Sequence, residues 1–216
     1  SQDHKRALDG DKGLNTGGMG CIAPNPYYTE ETAQRCMKEI FIPTMEAMNK
    51  ESRTFKGCLY FGLMLTADGP KVIEYNCRFG DPETQVVLPL LETDIMDIIE
   101  AVWEEKLDTL DIKWSDKSCA CVVMASGGYP EKYETGKVIS GLDENGQCEG
   151  AFVYHAGTKL EDGKFLTAGG RVLGITAYGD TLKEALDTAY KAVDTISFEK
   201  AHYRHDIGKK ALSALK

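Results

Sequence analysis

The stretch "GCLYFGLMLTADGPKVIEYNCR", residues 57–78, constrains the fold more than any other. Two runs rich in apolar and β-forming residues flank "ADGP", a turn signal, which predicts an antiparallel hairpin. On an extended strand alternate side chains share a face. The second run therefore turns Glu74, Asn76 and Arg78 one way, and Ile73, Tyr75 and Cys77 the other. The apolar set is expected to anchor the strand in a core. The polar set contains Asn, which strands disfavour. Spacing alone leaves two readings of that polar row: an ordinary solvated face, or a comb for a metal ion and a polyphosphate. Magnesium takes oxygen ligands, one or two from the protein and the rest from phosphates and water. Glu74 offers a carboxylate and Asn76 a neutral carbonyl oxygen. Arg78 adds a forked donor for phosphate or carboxylate oxygens. Beyond Gly80, Asp81 and Glu83 flank Pro82 and read first as turn and helix-start acids, second as catalytic groups.

Around the hairpin the pattern alternates between helix and strand. Residues 9–26 form a Gly/Pro/Asn-rich loop containing "NTGGMG". That segment lacks the Gly-Lys-Ser/Thr ending of a Walker A loop. It reads first as a plain connector, and second as glycines whose N–H groups close on an anion. A helix is expected from Thr29, an N-cap followed by Glu30 and Glu31. Met37, Ile40, Phe41, Met45 and Met48 give it helical spacing, and Pro43 is expected to kink or divide it. A second helix is expected after Thr93 as cap, burying Ile95, Ile98, Ile99, Val102 and Leu107. The polar run at residues 108–118 marks a boundary, giving domains at 1–113 and 114–216. Past it lie "CACVVMAS", "AFVYHAGT" and "GRVLGITAYG", all strand-like, and a helix from Thr181 with Glu184 completing a capping box. Leu182, Leu186, Ala189 and Val193 face its core. The fold class is α+β.

The chain has 216 residues and a net charge of −9. It shows no cluster of Lys and Arg, so nucleic acid is excluded as an expected partner. No run approaches the ~20 apolar residues of a membrane span, and no signal-peptide pattern opens the chain. It begins on "SQDHKR" without Met, which suggests a piece of a longer protein. Seven cysteines include no CxxC pair and read as reduced thiols packed as small hydrophobes, in keeping with a cytoplasmic location. His155, His202 and His205 are assigned structural or surface roles, and Arg204 and Asp206 are expected to tie the tail to the core.

"VIEYNCRFGDPETQVVLPLLETD" and "DHKRALDGDKGLNTGGMG" together resemble the ATP-grasp family of phosphoribosylamine–glycine ligases, also called glycinamide ribonucleotide synthetases. "VVMASGGYPEKYETGKVISGL", "VYHAGTKL", "GGRVLGITAYG" and "YRHDIGKKAL" extend the likeness over essentially the whole chain. The resemblance implies the second lobe of an ATP-grasp domain, an antiparallel sheet with helices, followed by a small strand-rich domain with one packed helix. It implies an ATP-dependent ligase of purine biosynthesis that joins glycine to 5-phosphoribosylamine through glycyl phosphate. Glu74 and Asn76 match the family's ligands for Mg2+ or Mn2+. Arg78 matches its phosphate-contacting Arg, and Asp81 joins the catalytic set. Asn15, Thr16, Gly17, Gly18 and Met19 fall where the family lines its phosphoribosylamine site, while Lys5 and Arg6, just upstream, read either as contacts for phosphate or carboxylate groups or as a solvated terminus. The preceding strand, "CLYFGLML", lacks the further acidic ligand that many ATP-grasp enzymes carry. The implied partners are ATP, glycine, phosphoribosylamine and the preceding part of the same polypeptide, with no membrane. The piece alone is expected to be inactive. Two alternatives are an ATP-grasp ligase with another amine acceptor and a non-catalytic binding or scaffold module.

Overall fold

A computed structural model describes residues 1–215 of the chain. Its strands are β1 (Gln2–Asp3), β2 (Arg6–Leu8), β3 (Lys12–Asn15), β4 (Gly20–Ala23), β5 (Tyr60–Thr66), β6 (Gly69–Asn76), β7 (Ser118–Ala125), β8 (Phe152–His155), β9 (Thr158–Glu161), β10 (Lys164–Thr167) and β11 (Arg171–Gly179). Its α-helices are α1 (Glu30–Cys36), α2 (Ile42–Lys50), α3 (Thr84–Val87), α4 (Ile95–Trp103), α5 (Leu182–Val193) and α6 (Lys209–Ala214). Contacts divide them into two units that interleave along the chain. Ser1–Asn25, Asp81–Leu90 and the residues from 115 onward form the first, Pro26–Gly80 and Leu91–Trp114 the second. A single cut after residue 113 does not describe this grouping, because the first 25 residues join the C-terminal part.

The first unit is built on a five-stranded antiparallel sheet of order β1-β4-β7-β11-β8. Alternation along β7 sends Ala120, Val122 and Met124 into one core and Cys119, Cys121 and Val123 into another. α5 covers the first face. Thr181 accepts from the Glu184 amide while the Glu184 carboxylate accepts from the Thr181 amide, the reciprocal cap expected. Leu182, Leu186, Ala189 and Val193 are buried as their period dictates. Val86 and Leu90, from the helical segment 84–90, pack on the other face. All seven cysteines are free thiols. Burial pushes the Cys119 and Cys121 thiols up to about 12, so both pack as neutral apolar groups.

The second unit pairs β5 with β6, with Gly62 opposite Glu74 and Tyr60 opposite Asn76. Helix α1 begins at Thr29, whose hydroxyl accepts from the Thr32 amide. Pro43 does not break the helix. The ring would crowd the carbonyl four residues back, and the chain widens into a π turn over Met37–Phe41, where the Ile42 amide bonds to Met37 O. Phe41 meets Phe61 at a tilt, with ring centroids 4.5 Å apart, and Phe61 meets Tyr75 edge-on at 5.3 Å, seating the helices on that face of the hairpin. A groove of about 810 Å3 runs between them, lined by Ile40, Met48, Phe55, Val72 and Tyr75 among others.

Two expectations for this unit are corrected. The cap of α4 is Asp94, whose carboxylate accepts from the Met96 amide, while the Thr93 hydroxyl accepts from the Lys113 amide at 2.7 Å. Nor is the stripe of α4 buried. The helix has no fully buried residue, and Ile99 and Leu107 are exposed.

Candidate functional site

The polar row on β6 exists only in part. A register shift between Gly62 and Leu63 leaves Ile73 unpaired in the ladder. Such a bulge breaks the two-residue alternation. Val72, rather than Ile73, therefore shares the groove with Tyr75 and Cys77. Ile73 is 61% exposed and anchors nothing, contrary to expectation. C-terminal to the bulge the ladder is regular, so Glu74 and Asn76 share a face, away from Phe61 and Tyr75. Gly62 accommodates the carboxylate, since a Cβ there would lie 2.7 Å from Glu74 Cγ. The strand ends at Asn76. Arg78 thus stands in a bend rather than on the strand face, with one guanidinium donor spent on Phe79 O at 2.8 Å.

As a donor set, Glu74 and Asn76 supply one anionic and one neutral oxygen. That fits an ion which takes the rest of its shell from polyphosphate and water. It does not fit an all-protein cage, and no cluster of three or more His, Cys, Asp or Glu suited to a metal occurs among the described residues.

The glycine loop belongs to the first unit and is held by both backbone and side-chain hydrogen bonds. The Thr16 amide and hydroxyl both donate to Lys5 O, at 2.7 and 2.9 Å, and the Gly18 amide donates to Thr16 Oγ1 at 2.9 Å. Asn15 is exposed at the end of β3. Gly18 adopts φ +122°, and a Cβ there would meet Pro82 at 2.4 Å and Asp3 Oδ1 at 2.6 Å, so only glycine fits. Met19 is corrected. Its side chain is fully buried, its amide donates to His4 O and its carbonyl accepts from the Val123 amide, so it anchors the loop rather than facing a ligand.

Residues ahead of the loop are ordered into strands. Lys5 pairs with Asp3 at 2.8 Å, and Arg6 Nη1 donates to Gly13 O at 2.8 Å. Asp3 was not singled out by the sequence. Its side chain is 6% exposed, and Oδ1 has no hydrogen-bond partner among the described residues. Burial raises its pKa to about 6, against the pull of Lys5 and with the help of the Glu83 charge. Asp81 has a half-exposed carboxylate that accepts from Gln85 Nε2 at 3.0 Å and pairs with Arg171 at 3.2 Å.

The histidines and the tail are structural. His155 bridges Thr158 and Gly146 O, and His202 donates to Ala7 O. Arg204, 1% exposed, holds Asp206 through two bonds of 2.7 and 2.9 Å and also reaches Asp11 and Arg6 O.

The phosphoribosylglycinamide synthetase ATP-grasp (A) domain model matches residues 1–84, and the phosphoribosylglycinamide synthetase C domain model matches residues 119–210. A phosphoribosylamine–glycine ligase of Caldanaerobacter subterraneus subsp. tengcongensis is 52% identical over 207 residues, 96% of this chain and 49% of that protein. Its counterpart in Clostridium acetobutylicum is 50% identical over 209 residues, 97% of this chain and 49% of that one. The crystal structure of a phosphoribosylamine–glycine ligase from Thermotoga maritima aligns with a TM-score of 0.79 at 36% identity, over 95% of this chain and 50% of that chain. The chain spans about half the length of the relatives it matches. No helix among the described residues is long and apolar enough to cross a membrane.

Proposed function

The chain belongs to the phosphoribosylglycinamide synthetase family, and from that premise we propose that it forms part of an ATP-dependent ligase joining glycine to 5-phosphoribosylamine in purine biosynthesis. The observation that carries this reading is that Glu74 and Asn76 share one face of β6, with Glu74 opposite Gly62. Those two residues would hold a divalent ion, Mg2+ or Mn2+, through one oxygen each. When bound, that ion neutralises polyphosphate charge. Arg78 receives phosphate oxygens through its fork, and Asp81 completes the catalytic set.

The glycine carboxylate is already a nucleophile. One of its oxygens attacks the γ-phosphorus of ATP, and the bond to ADP breaks. The amine of phosphoribosylamine then attacks the acyl carbon, phosphate leaves, and the nitrogen loses its proton. No acid–base dyad is required, because placement and charge neutralisation supply most of the acceleration. Lys5, Arg6 and the loop Asn15, Thr16, Gly17 and Gly18 bind the phosphorylated amine. The free thiols fit a reducing, cytoplasmic compartment. We expect activity to need the other half of the relatives' length, and the 216-residue chain alone to turn over no substrate.

The test is ADP release by the complete polypeptide, supplied with ATP, Mg2+, glycine and phosphoribosylamine. Release that requires both glycine and phosphoribosylamine supports the reading. Release with a different amine only would assign another acceptor, and none with any amine would point to a binding module.

A further inference from the structure

Gly17 is gripped from both sides of its peptide by residues more than a hundred positions away. Its amide donates to the Tyr129 hydroxyl at 3.0 Å. Its carbonyl accepts from Arg171 Nη1 at 3.1 Å. The same nitrogen donates to Asp81 O at 2.8 Å and lies 3.2 Å from Asp81 Oδ1. One guanidinium, with its side chain 21% exposed, thus joins the glycine loop to the turn that carries Asp81.

The local sequence is shaped for this contact. β11 changes register between Arg171 and Leu173, so Val172 and Leu173 both enter the core. Bulges of this kind re-aim a neighbouring side chain. Gly170 makes room for Tyr129, since a Cβ there would lie 2.3 Å from the ring. At Gly17 a Cβ would lie 3.0 Å from the Arg171 guanidinium, so loop and cation are in direct contact.

We propose that Arg171 and Tyr129 are positioning residues that clamp the Gly17 peptide and set the loop's geometry toward the phosphorylated amine. Neither touches substrate. This rests on the reading of the loop as the amine site. All three contacts converge on Nη1, so the placement of that one nitrogen joins the two segments; a lysine keeps the charge but carries it as a compact, strongly hydrated ammonium on a flexible stem, which does not hold that position. A loop displaced by about 1 Å costs as much as a hundredfold in rate.

The test uses Arg171→Lys and Tyr129→Phe, the second removing only a hydroxyl and so guarding against a folding failure of the first. Hydrogen exchange at the Gly17 and Gly18 amides is followed in this chain, and steady-state kinetics in the complete polypeptide. We expect exchange at least tenfold faster, kcat/KM for phosphoribosylamine at least tenfold lower, and KM for ATP unchanged. Exchange within twofold of the unsubstituted chain would overturn the clamp. Faster exchange with unchanged amine kinetics would overturn its positioning role. An unsubstituted polypeptide that never uses phosphoribosylamine would sink the functional reading instead.

Discussion

His4 Nε2 accepts the amide proton of Gly208, 204 positions later, at 3.1 Å, while Nδ1–H donates to Gly20 O at the same distance. The ring is therefore a neutral imidazole with a fixed tautomer, buried between the N-terminal strands and the start of α6. Burial lowers its pKa below the ordinary 6.5, outweighing the Gly20 carbonyl and aided by the nearby Arg204 charge. Below pH 6.5 the unfolded chain takes up a proton that the folded chain resists, so stability is full above that pH and falls beneath it. His4→Gln should remove this component. In urea titrations the stability advantage of the unsubstituted chain over His4→Gln should shrink from pH 7.5 to 5.5, with a slope of up to about 1.4 kcal/mol per pH unit. A difference that stays constant with pH would show that the ring is not held neutral.

Asp3 behaves in the opposite sense. Its folded pKa, about 6, lies above the ordinary 3.8, so its charge is a cost above pH 6 that disappears as pH falls toward 4. The size is on the order of 3 kcal/mol. Asp3→Asn should raise the melting temperature at pH 7.5 and bring no gain near pH 4. It also removes a negative charge beside Lys5, so the complete polypeptide should gain affinity for the phosphorylated amine as well as stability. A melting temperature lowered at pH 7.5 would contradict this.

Glu74→Gln leaves the hairpin intact, because the exposed carboxylate contributes little to packing. The melting temperature should move by less than about 2 °C, the scale of a surface change. Ligation by the complete polypeptide should fall at least a hundredfold, since the amide keeps the shape but loses the charge that draws a divalent ion. A large stability loss with activity retained would make Glu74 structural.

Met19→Ala should do the reverse. A fully buried Met truncated to Ala costs about 2–5 kcal/mol through lost transfer energy and a cavity. Denaturant midpoints should drop accordingly, whereas Asn15→Ala, at an exposed position, should leave them nearly unchanged.

Much of this architecture is legible in the residue pattern. "ADGP" between apolar runs fixes the β5–β6 hairpin, and Thr181 with Glu184 fixes the start of α5, because both signals are local. What escapes is non-local. The bulge at Ile73 is a property of the ladder with β5, and it alone puts Val72 rather than Ile73 in the groove with Tyr75 and Cys77. Met19 sits among glycines like a loop residue, and only its bond to Val123 reveals it as core. Arg171 stands in a plain strand motif, and its importance comes from Gly17 and Asp81, far away in sequence. Two-thirds of the proposed metal–phosphate comb follows from periodicity. Arg78 does not, because the strand stops before it.

The pairing of β4 with β7 has a consequence for biosynthesis. Cys21 lies beside Cys121, so β4 cannot take its place beside β7 until the ribosome has made about a hundred further residues. At ~5–20 residues per second, that delay is roughly 5–20 s. Throughout it, the fully buried Ile22 of the finished protein has no shelter of its own. The sheet is thus closed by a contact of long sequence separation, the kind whose loop-closure cost slows folding.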